Sequence, residues 1–141
     1  MPRYSVWALR LAMVEFLLGV TIGALLLIQK AWSFFPAIWA LLPAHIELLL
    51  FGWLLQLVLG VAYWIFPRLR IAPKRGPEWL AWLALWALNI GLLCVAMAPF
   101  WPSAPLPALG RGLEALAVLA LVAAIWPRVK PTETGSQPAR T

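Results

Sequence analysis

The chain has 141 residues, of which 64% are hydrophobic and 11% charged, against roughly 45–50% and 25% in soluble domains. That composition excludes an ordinary soluble protein. A single cysteine (Cys94), a single histidine and the absence of aspartate exclude, within one chain, a disulfide framework, a multi-histidine zinc site and a carboxylate-rich calcium or magnesium site.

The apolar residues fall in four blocks that read as membrane spans; at about 1.5 Å per residue the first nearly crosses a hydrocarbon core of ~30 Å, and the fourth is short at its apolar core but extends through Gly110. The first span is expected over residues 8–29, around an apolar block from Leu11 to Ile28 that is interrupted only by Glu15 and Thr21. Arg3 and Arg10 precede it without a small-residue cleavage site, so it reads as a retained helix rather than a signal peptide. Gly19 and Gly23 form a GxxxG pattern in it, which permits close helix approach within the bundle or between protomers. The second span, 44–66, is the most continuous, with Glu47 and Gln56 its most polar members beyond its histidine, and it closes on Trp64-Ile65-Phe66-Pro67-Arg68. The third, 78–100, carries Asn89, Cys94 and Met97. The fourth, 110–127, closes on Trp126-Pro127-Arg128, the same interfacial aromatic, helix stop and cationic anchor that end the second. Pro99, Pro102, Pro105 and Pro107 predict a stiff connection between the last two spans, and residues 131–141 a polar, disordered tail.

Nine of the eleven basic residues lie at the N-terminus, between the second and third spans, or after the fourth; Lys30 and Arg111 alone lie in the other two connections. By the positive-inside rule both termini are cytoplasmic. The expected fold is therefore all-α: one integral-membrane domain over residues 1–130, a four-helix up-down bundle in a bacterial inner membrane. The net charge of +6 is accounted for by anionic headgroups beside the spans, with no nucleic acid partner.

Intramembrane polar groups are costly, so function is sought among them. His45 opens the second span at its outer end, where a neutral imidazole can ligate a metal or simply sit at the interface. Glu15 is expected to pair with a cytoplasmic-end arginine such as Arg68, and Gln56 and Asn89 to hydrogen-bond across helices. Arg111 is placed to pair with Glu114 at i, i+3 or with Glu47 on the neighbouring span.

The stretch His45-Ile-Glu-Leu-Leu-Leu-Phe-Gly-Trp-Leu-Leu-Gln-Leu-Val-Leu-Gly-Val-Ala-Tyr-Trp-Ile-Phe-Pro67-Arg68, followed by a basic loop and the tryptophan-rich third span from Glu78, resembles subunit I of heme-copper oxidases and nitric oxide reductases. The likeness covers roughly residues 5 to 100 and is anchored by one histidine, Gly52, Gly60 and the Pro67-Arg68 close. It implies that His45 is an axial ligand of a b-type heme in respiratory electron transfer or in nitric oxide- or oxygen-related metabolism. The histidines of the family's catalytic binuclear centre have no counterpart here, so the resemblance implies no enzyme on its own. A second axial ligand would come from Met97, or from His45 of the other protomer across a two-fold homodimer; a five-coordinate site is a third option. Arg111 is the candidate cation for a heme propionate. A cofactor-free structural or assembly subunit of a respiratory complex is the alternative, and a small transporter built around Gln56, Asn89 and Glu15 ranks below both.

Overall fold

The computed structural model describes residues 1–69, 75–101 and 105–129. The tail over 131–141 and the side chains of Arg70, Lys74, Pro102, Lys130 and Arg140 lie outside the described residues. Among those described there are four helices long and apolar enough to cross a membrane: α1 (Arg3–Trp32), α2 (Pro36–Ile65), α3 (Glu78–Met97) and α4 (Leu106–Ile125). Short 3₁₀ turns, Ala98–Phe100 and Trp126–Arg128, extend the last two.

Both α1 and α2 are longer than their expected spans. Thirty helical residues rise about 45 Å, more than a hydrocarbon core of ~30 Å requires. The connection between them is only Ser33–Phe35. Ser33 takes up the left-handed conformation that ends many helices, and its N–H donates to the Gln29 carbonyl at 2.8 Å. The buried Gln29 side chain then accepts the Phe35 N–H at 2.7 Å, so a side chain substitutes for the backbone acceptor lost at the turn. Pro36 and Pro43 stand at the first turns of the 3₁₀ and α segments that begin α2, where a missing N–H costs nothing. His45 therefore lies well inside α2 rather than at its opening.

Leu48–Leu55, in the middle of α2, is wound as a π-helix. In an α-helix the nine residues from Glu47 to Gln56 make about two and a half turns, which would put the two side chains on opposite faces. The wider i→i+5 winding shortens this toward two turns. Both residues are accordingly buried, at 2% and 1% exposure.

The helices run up and down. Gly19 and Gly23, in the second half of α1, face Leu49 and His45 in the first half of α2, whereas Ala8 near the start of α1 faces Gly60 near the end of α2. The GxxxG pattern thus serves packing within the chain. Gly91 near the end of α3 meets Gly110 near the start of α4, where a Cβ built on either would stand under 3 Å from the other's carbonyl oxygen. α3 is the most enclosed helix, burying Ala81, Ala84, Leu88, Leu92 and Val95. Small residues on α4 (Ala117, Ala120, Ala124) complete that hairpin. Such side chains let backbones approach closely, which is how helices gain packing energy where lipid leaves no hydrophobic drive.

The starts of α1 and α3 and the ends of α2 and α4 form one face of the bundle: Tyr4 packs edge-on against Tyr63 at 4.8 Å and against Trp82 at 6.3 Å. The described cations Arg3, Arg68, Arg75 and Arg128 belong to this basic face. His45, Glu47 and Arg111 belong to the opposite one.

Candidate functional site

Among the described residues, four polar sites occupy the bundle. At the face opposite the basic one, His45 projects from α2 against α1. Its Nδ1 lies 2.8 Å from the Gly19 carbonyl oxygen. A carbonyl only accepts, so Nδ1 carries the proton, and in the neutral ring Nε2 keeps its lone pair. This is the orienting contact typical of ligating histidines. Gly23 makes the approach possible, since a Cβ there would come within 2.6 Å of the imidazole Cε1.

His45 also lines a cavity of about 380 Å³, bounded by Gly23, Leu26, Leu27, Lys30, Trp39 and Leu42, within the size range of small-ligand sites. Its wall is apolar apart from His45 and the exposed cation Lys30. Leu27 on its rim is 70% exposed, so the cavity opens sideways from the bundle. Met97 does not line it, and is itself 41% exposed. Among the described lining residues, His45 alone is able to ligate a metal. Lys30, not Arg111, is the cation beside it; the signal is present in the sequence as the i, i+3, i+4, i+7 face formed by Gly23, Leu26, Leu27 and Lys30.

Arg111 is engaged elsewhere. Its Nη2 lies 2.5 Å from Glu47 Oε1, and its Nη1 lies 3.1 Å from Glu47 Oε2 and 2.8 Å from Glu114 Oε2. The guanidinium also stands 5.2 Å above the Phe51 ring. The bidentate fork on Glu47 leaves both carboxylates deeply buried while Arg111 is 51% exposed. These are the two partners expected of it, and they engage both terminal nitrogens of the guanidinium.

Deeper in the bundle, Gln56 joins three helices. Its Nε2 donates to Glu15 Oε2 at 3.0 Å, and its Oε1 accepts from Asn89 Nδ2 at 2.6 Å. Asn89 Nδ2 also reaches the Leu85 carbonyl at 2.8 Å. The cross-helix role expected of Gln56 and Asn89 is what the side chains adopt. The expected Glu15–Arg68 pair does not form. Glu15 stands about 16 Å along α1 from Tyr4, which marks the basic face, whereas Arg68 follows the end of α2 at that face. Gly52, on the π-wound segment, leaves room for the Glu15 side chain, which a Cβ there would approach to 3.0 Å.

Arg128, expected as an outward anchor, is fully buried. Its Nε donates to the Pro67 carbonyl at 2.9 Å, and its Nη2 to those of Tyr63 at 2.9 Å and Phe66 at 2.5 Å. The cation caps the orphaned carbonyls at the negative end of α2. The cation that ends α4 thus binds the end of α2, while Trp64, Arg68 and Trp126 stay exposed.

No family model, curated protein or solved structure matches this chain.

Proposed function

We propose that this chain is a heme b-binding integral membrane protein of a bacterial inner membrane, with both termini cytoplasmic and with His45 Nε2 as axial ligand. The observation that carries the reading is the Nδ1–H bond to the Gly19 carbonyl, which leaves the Nε2 lone pair free on a residue that borders an apolar cavity. Lys30 supplies a cation at the rim for an anionic substituent, in place of the engaged Arg111. The resemblance to oxidase subunit I supports the same residue, and the charge distribution supports the orientation.

With His45 the one ligating side chain among the described residues of the cavity wall, the sideways opening favours a two-fold homodimer in which each protomer offers His45 to one shared heme. Bound there, the group would supply one-electron exchange, with its potential set by ligation and burial. The protein's part is to hold the imidazole, exclude water with Leu26, Leu27, Trp39 and Leu42, and balance negative charge with Lys30. The second reading, a cofactor-free subunit of a respiratory complex, is favoured by the single ligating residue at the cavity.

The deciding experiment is the oxidised and dithionite-reduced spectrum of detergent-purified protein, with heme per chain from pyridine hemochrome. A sharp reduced α-band at one heme per two chains is expected, lost in His45→Ala and recovered in part by added imidazole. Full heme content in His45→Ala, or a colourless wild-type protein after heme supplementation, overturns the reading.

A further inference from the structure

A crevice between α1 and α3 lies apart from the His45 cavity, and its chemistry is independent of heme. The two helices point the same way, both beginning at the basic face. Tyr4, Trp7 and Leu11 of α1 and Glu78, Trp82 and Trp86 of α3 repeat at helical spacing along facing sides. Two cavities occupy the gap. The first, about 180 Å³, is a mouth bounded by Arg3, Tyr4 and Glu78; the second, about 220 Å³, is a trough bounded by Trp7, Leu11 and Trp86. Trp82 borders both, so they run on from one another.

The mouth is polar and the trough apolar, the profile of an amphipathic ligand. Charge selects the sign of its head. Arg3 lines the mouth, and α1 begins there behind Pro2 with no side-chain cap and no acidic residue in its first turn, leaving the positive end of its dipole uncompensated. Arg10 stands 5.9 Å above the Trp7 ring at the trough's edge. Against these two cations stands one carboxylate, Glu78, which balances Arg3 at the mouth; the surplus carried by Arg10 and by the start of α1 gives the crevice as a whole a net positive charge suited to a single phosphodiester. From Tyr4 to Leu11 the trough descends about 10 Å, within the ~15 Å that half of a ~30 Å hydrocarbon core offers an acyl chain.

We infer that this crevice is a binding site for one anionic glycerophospholipid, its phosphodiester at Arg3 and the start of α1 and one acyl chain along Trp82 toward Trp86. A neutral isoprenoid quinone would fill the trough but leave Arg10 and the positive end of the α1 dipole unmatched.

The test uses delipidated full-length protein in detergent, titrated with dioleoyl phosphatidylglycerol or dioleoyl phosphatidylcholine and read by native mass spectrometry. The anionic lipid should bind about tenfold more tightly, as one charge-assisted contact implies. Arg3→Gln should bring the two lipids within about twofold of each other, Arg3→Lys should keep most of the preference, and Trp86→Ala should weaken both lipids alike. A phosphatidylglycerol carrying a photoreactive acyl chain should label the Trp82–Trp86 stretch. Equal binding of the two lipids, or a preference unchanged in a folded Arg3→Gln protein, overturns the inference. Displacement by millimolar inorganic phosphate would reduce the site to a phosphate-binding mouth, and displacement by decylubiquinone but not by phosphatidylcholine would assign the trough to a quinone; either outcome overturns it.

Discussion

The two hairpins of this protein close by different means. α3 and α4 meet through glycine and alanine, with the Gly91 and Gly110 carbonyls and the Val95 side chain in the close contacts, and they bury little that is polar beyond Glu114. α1 and α2 also use glycines, but there the space is filled by side chains with chemistry: Gly23 receives the His45 ring and Gly52 the Glu15 carboxyl. Backbone-to-backbone contact leaves no room for a ligand and makes a rigid wall. Glycine facing a polar side chain instead trades close packing for an oriented functional group, and the cavity beside His45 belongs to that second kind of hairpin.

If the contrast is sound, substitutions should separate stability from binding. The largest loss of stability is expected for Gly91→Val, because the new Cβ meets the Gly110 carbonyl at 2.8 Å and neither backbone can yield cheaply. It should cost roughly 3 kcal/mol, the upper part of the overpacking range, measured by thermal or denaturant unfolding in detergent. Arg128→Met comes next, at about 2 kcal/mol, since it strips charged donors from three carbonyls at the end of α2. A deficit below about 0.5 kcal/mol would show that water substitutes for the guanidinium there.

Gln56→Leu should cost about 1 kcal/mol, and a double-mutant cycle with Asn89→Leu should return a coupling of the same order. Strict additivity would mean that the 2.6 Å contact contributes nothing to stability. The smallest effect on stability, under about 1 kcal/mol, is expected for Gly23→Ala, because the atoms it meets belong to a movable imidazole. That variant should nonetheless weaken the reduced α-band by displacing the His45 ring. Gly23→Ala with full heme content would sink the idea that this hairpin is organised around the histidine.

Much of this architecture is readable in the amino-acid chain. Continuous apolar runs specify the four helices, because lipid offers backbone groups no partner outside a helix. The short list of intramembrane polar residues leads directly to His45, Gln56 and Asn89, and the i, i+3 spacing of Arg111 and Glu114 to their pairing. Other placements are not legible there. Arg128 reads as an anchor in any window around it, and its burial depends on the end of α2, some sixty residues earlier. Lys30 reads as a lone interfacial charge, and only the turn at Ser33 folds Trp39 and Leu42 back beside it.

The sequence by itself determined which segments are helical, which residues are polar within them, and how charge divides between the two faces, since each follows from local composition and solvent. Only the tertiary structure decided which polar groups meet. Periodicity at 3.6 residues places Glu47 and Gln56 on opposite sides of α2, and the π-wound turn between them brings both inside. Neighbouring helices on both sides of that turn, through Arg111 at one end and Glu15 with Asn89 at the other, supply the partners that make this winding favourable. No window of sequence contains them together.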